Sequence, residues 1–257
     1  MNSDIRIRAE SLDLLTPRLS INNKCQDYDF QTWLQSRLSV STGEYILDLA
    51  CGNGAQSLYF SRKIGPSGYL RSVDIHEPSI AALKQSIGHL NSCDQIVSDM
   101  EDFDSYLDNQ RFTLLHCSFA LPYAKEPLRV VTKLAAFLQP PLGRLAISLP
   151  CPPHGMVDFV SRYSDIPSSV TQAIHLGSDH LIDHFRTLFY EVDVSFFQSN
   201  LVISDISDFI SLYESTTYYS SADSSRVISA AREIIGCDGH ISFSKCAILL
   251  IGRQLKL

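Results

Sequence analysis

The sequence predicts an α/β fold built on a doubly wound, mostly parallel sheet. Three observations support this prediction: an apolar strand that runs into a glycine turn, two later strands that end in carboxylates, and helical patterns between successive strands. Strands that alternate with helices through short links favour a parallel sheet, because each helix carries the chain back across one face. The chain has 257 residues, of which 45% are hydrophobic, so a sizeable core is available.

The glycine turn lies near the start of this pattern. Residues 45–49 form a short apolar run that contains Asp48, and Gly52 and Gly54 follow it directly. A helical pattern then covers residues 55–63. Glycine lets the backbone approach a ligand closely, and the start of a helix presents free amides. Strand, glycine turn and helix start are therefore the front of a βαβ unit that holds a nucleotide-like cofactor.

Two carboxylates follow at the ends of the next two predicted strands. Residues 70–74 end in Asp74, which lies about 20 residues past the turn, where the ribose-binding acid of such folds belongs. Residues 95–99 end in Asp99. Ligands of parallel α/β sheets bind beyond the C-terminal ends of the strands, an edge that also includes Ser118 of the fourth strand.

The remaining elements follow from hydrophobic periodicity and from glycine and proline stops. Further strands are predicted at 112–119, 144–149, 190–204 and 240–252. Helices are predicted at 27–40, 78–88, 125–139, 205–219 and 222–235, the last one ended by Gly236. Residues 150–155, which are rich in proline, are expected to form a rigid loop, and one or more helices are expected over 157–186.

Composition excludes several classes of protein. The net charge of −7 argues against a nucleic-acid or anionic-membrane partner, because such binding needs a basic face. The seven cysteines are odd in number and lack a C-x-x-C pair, which argues against a disulfide scaffold and a zinc site. No run approaches the ~20 apolar residues of a membrane span, and the polar N-terminus is unlike a signal peptide. We therefore expect a cytoplasmic protein without a metal site.

The motifs resemble those of one known family. Ile46-Leu-Asp-Leu-Ala-Cys-Gly-Asn-Gly54, Val73-Asp74 and Ser98-Asp99-Met100 are similar to the motifs of class I S-adenosylmethionine-dependent methyltransferases. The resemblance covers roughly residues 40 to 150. It implies a Rossmann-like, seven-stranded sheet, S-adenosyl-L-methionine as the cofactor, and a helical lid insertion after strand five. The expected divisions are an N-terminal helical arm at 1–42, a cofactor-binding core at 43–150, the lid insertion at 151–189, and strands and helices that complete the sheet at 190–257.

The resemblance also implies a role for individual residues. The glycine turn would lie against the methionine part of the cofactor, Asp74 would hold the ribose hydroxyls, and Asp99 would lie near the adenine amino group. Ala50 stands where the family pattern commonly has its first glycine. The cofactor-binding residues expected on this basis are Asp48, Ala50, Gly52, Gly54, Asp74, Ile75, Asp99, Met100 and Ser118.

The substrate side is less readable, because methyl transfer from a sulfonium is a direct in-line displacement that mainly needs alignment and exclusion of water. His154 is the candidate general base, since its loop leaves strand five at the ligand edge. A histidine on a surface loop is the alternative interpretation. Where relatives often carry a histidine after strand four, this chain has Pro122.

We therefore expect a methyltransferase that acts on a small molecule, with an aromatic-rich lid formed by Phe159, Tyr163, Phe185, Phe189, Tyr213, Tyr218 and Tyr219. Three alternatives stay open. A methyltransferase for RNA or protein would need a basic face. A nicotinamide-dependent oxidoreductase would need a third glycine three places after Gly54, where Ser57 stands. A non-catalytic cofactor-binding partner subunit has no distinguishing sequence feature.

Overall fold

The structure is a computed structural model that describes residues 8, 11–90 and 92–256. The strands of this part are β1 Tyr45–Leu49, β2 Tyr69–Asp74, β3 Cys93–Val97, β4 Leu114–Ser118, β5 Arg144–His154, β6 Phe189–Ile203 and β7 Ile241–Leu255. Its α-helices are α1 Leu12–Cys25, α2 Phe30–Leu38, α3 Ala55–Ile64, α4 Glu77–Ile87, α5 Pro127–Ala135, α6 Gly155–Val160, α7 Ser168–Leu176, α8 Ile182–Leu188, α9 Ile206–Ser215 and α10 Ser224–Asp238.

The strands form one seven-stranded sheet in the order β3-β2-β1-β4-β5-β7-β6. β1 pairs in parallel with β2 and with β4, and β2–β3 and β4–β5 are parallel pairs as well. The chain therefore leaves β1 toward β2 on one side and returns to β4 on the other, which makes the β1/β4 boundary a topological switch point. The predicted seven-stranded, mostly parallel α/β sheet is confirmed.

The chain divides into two compact units, which we name for their contents. The sheet unit comprises residues 31–149, 176–195 and 248–257. The aromatic unit comprises residues 1–30, 150–175 and 196–247. The predicted insertion at 151–189 contributes residues to both units, and its function as a lid stays a prediction.

The core of the sheet unit explains why its strands are apolar. Ile46, Leu47 and Leu49 of β1 are completely buried, as expected for a parallel strand covered on both faces. Helix α3 buries Phe60 and Ile64 and ends at Gly65, whose positive φ of 64° stops the helix. β1, its turn and α3 therefore form a rigid frame for the residues between them.

The helices before β1 were only partly predicted. The helix predicted over 27–40 is α2, which buries Trp33, Leu34 and Leu38 as its periodicity indicates. The preceding helix α1 was missed. It contains Pro17, which normally argues against a helix because proline has no amide proton to donate.

Two boundaries also differ from the prediction. The expected loop at 150–155 is wrong, since β5 continues to His154 and α6 begins at Gly155. Proline is compatible with extended backbone and only removes a hydrogen-bond donor, so the proline-rich segment can continue a strand. Helix α10 passes through Gly236 and ends at Gly239, which adopts φ 77° and donates its N–H to the carbonyl of Ile235 at 2.9 Å.

Candidate functional site

A turn with repeated left-handed backbone joins β1 to α3. Ala50, Gly52 and Gly54 have φ values of 55°, 55° and 78°. The turn is also hydrogen-bonded to the neighbouring strand, because the N–H of Cys51 donates to the carbonyl of Val73 on β2 at 3.1 Å. The turn backbone is therefore held against the end of the neighbouring strand.

Two positions in the turn show what it requires of its residues. A Cβ on Gly54 would lie 2.8 Å from Cδ1 of Leu83 in α4, so the Leu83 side chain or the turn would have to shift. Ala50, the residue that replaces the first glycine of the family pattern, adopts the left-handed conformation despite its Cβ. This costs roughly 1 kcal/mol, which explains why glycine is common there.

The carboxylate of Asp74 joins the turn to the end of β2. Its Oδ2 accepts the N–H of Gly52 at 2.7 Å, and its Oδ1 accepts the N–H of His76 at 2.8 Å. A carboxylate offers about four lone-pair positions, so about two remain for other donors. The sequence placed Asp74 and the glycine turn at the same edge, and the structure brings them into direct contact.

Burial governs the electrostatics of this carboxylate. Only 9% of Asp74 is exposed, and desolvation raises the pKa of its carboxyl above the ordinary value. The amide donors of His76 and Gly52 act in the opposite direction and favour the charged form. A partly desolvated carboxylate that is held in place by two amides is a strong and well-oriented hydrogen-bond acceptor.

The residues after β2 and β3 lie beside one another. The N–H of Ser98 donates to the carbonyl of Asp74 at 3.0 Å and so ties the end of β3 to the end of β2. Ile75 is 40% exposed, which is unusual for a large apolar side chain next to a buried carboxylate. Asp99 and Met100 are half-buried. The structure therefore gathers the predicted pairs Asp74–Ile75 and Asp99–Met100 at one edge.

Ser118 ends β4 and is linked to the neighbouring strand. Its Oγ lies 2.6 Å from Oγ of Ser148 on β5, a hydrogen bond in which either hydroxyl can donate. The next residue, Phe119, has a positive φ of 56° and donates its N–H to the carbonyl of Ser148 at 2.8 Å. The exit from β4 is thus fixed in a defined direction.

Asp48 lies below the turn, at the centre of a buried polar network. Its Oδ2 accepts the hydroxyl of Ser57 at 2.5 Å, and its Oδ1 lies 2.8 Å from Nδ1 of His116. The hydroxyl of Ser72 donates to Oγ of Ser57 at 2.8 Å. All four side chains are at most 1% exposed. The network connects β2, α3, β1 and β4 directly beneath the turn.

The sequence predicts that His116 lies inside the fourth strand and is packed or hydrogen-bonded, which is confirmed, but it does not identify Asp48 as the partner. In the sheet, Asp48 stands opposite Ser72 on one neighbour and opposite His116 on the other. The Nδ1 of the His116 imidazole faces this carboxylate, and Nε2 lies on the opposite side of the ring. This Nε2 is buried and has no hydrogen-bond partner in the described part of the chain. The rings of His116 and Phe60 pack nearly perpendicular to each other, with their centroids 5.3 Å apart.

One cavity of the sheet unit is separate from these residues. It has a volume of about 260 Å³ and is lined by Glu101, Asp102, Lys125, Glu126, Arg129, Val130 and Lys133. Its charges are largely matched within the protein, since Arg129 pairs with Glu126 at 2.8 Å and Lys133 pairs with Asp104 at 2.7 Å. The cavity therefore shows no excess charge that would select a ligand.

His154 belongs to the aromatic unit, where it is the last residue of β5 and the N-cap of α6. Its Nδ1 accepts the N–H of Val157 in a long hydrogen bond, with 3.4 Å between the two nitrogens. Its ring packs edge-on to Tyr218, with the ring centroids 6.3 Å apart. Burial lowers the pKa of His154, and the positive charge of Lys245 lowers it further. The imidazole is therefore neutral at neutral pH.

Most of the aromatic residues predicted to line the lid belong to this unit. The Phe159 ring packs edge-on against Phe209, with the ring centroids 5.9 Å apart. It is tilted against Phe243, with the ring centroids 5.6 Å apart. Tyr213 stacks on Phe209 at 6.2 Å and packs edge-on to Tyr219 at 5.2 Å. The rings come from α6, α9, β7 and the segment after α9, so they form a continuous aromatic cluster inside the unit.

One known protein family matches the part of the chain that contains β1 to β4. Residues 46–141 match the family model described as a methyltransferase domain. The match begins in β1, includes the glycine turn and Asp74, and continues past α5.

Residues 46–141 form a methyltransferase domain. The class I methyltransferase family recognised from the turn and the strand-ending acids is thereby confirmed for this part of the chain. The domain covers a little over a third of the chain.

Curated relatives match the same part. A chloroplastic 2-phytyl-1,4-beta-naphthoquinone methyltransferase from Arabidopsis thaliana is 28% identical over 102 residues. This match covers 38% of the present chain and 39% of the relative. The chain therefore matches only about two fifths of that protein's length.

Solved structures resemble the chain over a greater length. A protein from Bacillus halodurans C-125 described as a candidate methyltransferase has a TM-score of 0.60 at 15% identity, covering 87% of this chain and 98% of that one. The [4+2]-cyclase SpnF has a TM-score of 0.57 at 15% identity, covering 95% and 94%. At such low identity these neighbours establish the fold of the methyltransferase domain and its extensions.

The individual site residues around the methyltransferase domain stay predictions, including Asp48 as a cofactor contact and His154 as a base. Among the described residues, no three His, Cys, Asp or Glu side chains are grouped so as to hold a metal ion. No helix in this part of the chain is both long and apolar enough to cross a bilayer. A cytoplasmic location stays a prediction.

Proposed function

We propose that the protein is an S-adenosylmethionine-dependent methyltransferase that acts on a small-molecule acceptor. The observation that carries the proposal is the Asp74 carboxylate, which is held by the amides of Gly52 and His76 at the edge of the sheet. This contact combines the glycine turn and the acid of β2 into one preorganised acceptor. A ribose diol presents two adjacent donors that suit the remaining lone pairs of such a carboxylate.

The neighbouring residues fit the rest of the cofactor. The exposed side chain of Ile75 offers an apolar surface beside Asp74 for the face of an adenine ring. Asp99, at the tied end of β3, supplies an acceptor for an adenine amino group. At Gly52 and Gly54 the backbone has no side chain to separate it from a ligand, so the methionine part of the cofactor could approach it closely at this edge.

When bound, the cofactor supplies an electrophilic methyl group on a sulfonium centre. The protein then has to hold the acceptor in line with that group and exclude water, which converts an encounter into a unimolecular step. His154 is the proposed proton acceptor. Burial lowers its pKa, so the ring is neutral, and a proton taken up at Nδ1 would replace only the long contact with Val157.

Two features favour a small acceptor over RNA or protein. The net charge of −7 argues against the basic face that a nucleic acid needs. The Arabidopsis relative is by its name a methyltransferase of a naphthoquinone, a small aromatic molecule. The aromatic cluster around Phe159, Phe209 and Phe243 is buried in the core of its unit, so the proposal of an aromatic acceptor rests on the relative alone.

A second candidate is a protein that binds the cofactor and transfers no methyl group. It is favoured by the similarity to SpnF, a cyclase that shares the fold over nearly its whole length. The fold by itself therefore does not imply methyl transfer.

The test is a set of calorimetric titrations with S-adenosylhomocysteine, S-adenosylmethionine and NAD, each as the single ligand. We expect both adenosyl ligands to bind and NAD not to bind; binding of NAD alone would contradict the proposal. Incubation with methyl-labelled cofactor and a panel of naphthols, hydroxynaphthoates and quinols then measures transfer. Labelled product supports the methyltransferase, whereas tight cofactor binding without any labelled product favours the second candidate.

A further inference from the structure

Strand β6 forms an edge of the sheet that lacks the usual protection. It is the last strand in the sheet order and runs for 15 residues, from Phe189 to Ile203. Natural edges are commonly protected from pairing with another chain by a short strand, a proline, a lysine or a bulge. The residues of β6 include no proline, glycine or lysine, and the strand is far longer than the usual length of about 5 to 6 residues. Such an edge can pair with a further strand.

The structure covers one end of this edge. Gln26 forms an isolated antiparallel bridge with Leu201, and the N–H of Asp27 donates to the carbonyl of Asn200 at 3.1 Å. Among the described residues, no strand lies on the outer side of the rest of β6, residues 189–198. This stretch of the edge is therefore open to a partner.

The hydrogen bond to Asn200 also shows which backbone groups face outward. On a strand, the amide and the carbonyl of one residue point to the same side, and those of the next residue point to the opposite side. The carbonyl of Asn200 points outward, so the backbone groups of the other even-numbered residues of β6 do so as well. A strand that pairs with this edge must therefore hydrogen-bond to even-numbered residues.

The same even-numbered positions carry apolar side chains that are not fully buried. Tyr190 and Phe196 are 72% and 58% exposed, and Val192 and Val194 between them are half-buried. All four side chains point to one face of the strand, because side chains two residues apart share a face. From Asp193, each direction along the strand leads to a valine and then to an aromatic residue. The apolar pattern is therefore the same in both directions.

This symmetry matches the requirement of a two-fold interface, in which the same patch of both subunits must be self-complementary. In an antiparallel pair centred on Asp193, Tyr190 stands opposite Phe196 of the second copy. Val192 likewise stands opposite Val194 of the second copy. Both are pairs of even-numbered residues, as the outward backbone groups demand, and aromatic and β-branched pairs are favourable across antiparallel strands.

The opposite face of the strand carries the charges, and these are compensated in the same arrangement. The axis brings two Asp193 side chains together, but each is ion-paired with Arg253 of its own β7. The axis therefore holds two carboxylates and two guanidinium groups. Glu191 stands opposite Ser195 of the second copy, which is neutral. No pair of uncompensated like charges opposes the pairing.

We propose that the protein forms a two-fold symmetric dimer in which β6 pairs antiparallel with β6 of a second copy, with Asp193 at the axis. The two sheets then become one continuous sheet, and the open stretch of the edge is covered. The inference is independent of the proposed function, because it uses neither the cofactor edge nor the methyl acceptor.

The first test is the molar mass in solution, measured by analytical ultracentrifugation at about 100 μM, above the micromolar dissociation constants of weak interfaces. We expect the wild type to have twice the chain mass of 28.7 kDa. Val192→Lys and Val194→Lys should each give the monomer, because lysine on an edge strand opposes pairing. Val97→Lys is the matched control, since Val97 is 44% exposed and ends β3 at the other edge of the sheet. Urea unfolding verifies that each variant is folded.

A second measurement tests the register with cysteine variants. At the axis, Asp193→Cys places two thiols in a non-hydrogen-bonded pair, where the Cα atoms are about 4.5 Å apart and a disulfide can form. Glu191→Cys is the control, because in this register it lies about 13 Å along the strand from its own counterpart. Both variants also carry Cys237→Ser, which removes an exposed native thiol. Air oxidation followed by a non-reducing gel detects the covalent dimer.

We expect a covalent dimer in Asp193→Cys and none in Glu191→Cys. A monomeric wild type, a dimer that survives both lysine substitutions, or a folded Asp193→Cys variant without the disulfide would overturn the proposal. A disulfide that forms as readily in Glu191→Cys would contradict the register and with it the pairing of Tyr190 with Phe196 of the second copy.

Discussion

The two units treat their buried polar groups in opposite ways. In the sheet unit, Asp48 uses one carboxylate oxygen for Ser57 and the other for His116, so both oxygens have partners within the protein. In the aromatic unit, Lys245 has only the neutral amide of Gln26 as a hydrogen-bond partner among the described residues. The first arrangement fixes a backbone, and the second leaves a buried cation with a neutral hydrogen-bond partner.

This difference teaches how the two kinds of site are built. The turn at residues 50–54 needs a precise backbone, and the network beneath it supplies rigidity. A buried cation without a charged partner costs stability. Substitutions in both units test that contrast.

The largest effect is expected from His116→Ala. Removal of the imidazole takes away the hydrogen-bond partner of one oxygen of the buried Asp48 carboxylate and leaves a cavity beside Phe60, which together should cost about 3 to 5 kcal/mol. Urea unfolding measures the loss in the free energy of unfolding. Glu126→Ala is the control, because Glu126 pairs with Arg129 at 2.8 Å in the same unit and both side chains are more than half exposed, where such pairs contribute about 0 to 1 kcal/mol.

A double-mutant cycle sharpens this test. Asp48→Ala combined with His116→Ala should destabilise the protein by less than the sum of the single changes, because the pair is removed together. Strict additivity would show that the two side chains are not energetically coupled and would remove the network from the account of the turn.

Asp74→Ala should weaken binding of S-adenosylhomocysteine by about 100-fold, equivalent to about 2.7 kcal/mol, because two charge-assisted hydrogen bonds to a diol are lost. The free energy of unfolding should change little, since the buried carboxylate is already penalised by desolvation, as its raised pKa indicates. Calorimetry measures the affinity and urea unfolding the stability. Unaltered affinity in a folded variant would remove Asp74 from the cofactor site.

Lys245→Met should make the protein more stable at pH 7. The pKa of Lys245 is about 8 in the folded protein against an ordinary 10.5, so the unfolded chain binds the proton more tightly. The buried ammonium therefore lowers the free energy of unfolding below pH 8, and this loss disappears as the pH rises from 8 to 10.5. The difference between these two pKa values corresponds to at most about 3 kcal/mol in the free energy of unfolding.

The measurement is urea unfolding of wild type and variant at pH 7 and pH 10. The stability advantage of Lys245→Met should shrink at the higher pH, and Lys24→Met, in the same unit, should show no such trend. An advantage of equal size at both pH values would mean that packing of the methionine, rather than removal of charge, stabilises the variant.

The smallest effect concerns two glycines with nearly the same backbone. Gly54 and Gly239 have φ values of 78° and 77°, so alanine at either position costs roughly 1 kcal/mol of left-handed strain. Only at Gly54 would the new Cβ meet a neighbour, Cδ1 of Leu83 at 2.8 Å. Gly54→Ala should therefore destabilise the protein by about 1 kcal/mol more than Gly239→Ala, and equal losses would show that the turn can shift.

Much of the sheet unit could be predicted because its signals are local. The turn between β1 and α3 is contiguous in the sequence, and Asp74 lies at the end of the next strand. The helix α1 and the end of β5 were less predictable, because proline is read as a stop although a helix tolerated Pro17 and an extended strand tolerated the prolines before His154. In both cases tertiary packing overrode a local preference.

The sequence predicts all seven strands, most of the helices, the glycine turn and the acid that follows it, since each depends on spacing within a few tens of residues. Only the tertiary structure decided that His116 stands opposite Asp48, because the register of parallel strands depends on the whole sheet. It likewise decided that Lys245 lies near Arg18 and His154. These residues come from three distant segments, and the sequence contains no local signal that brings such segments together.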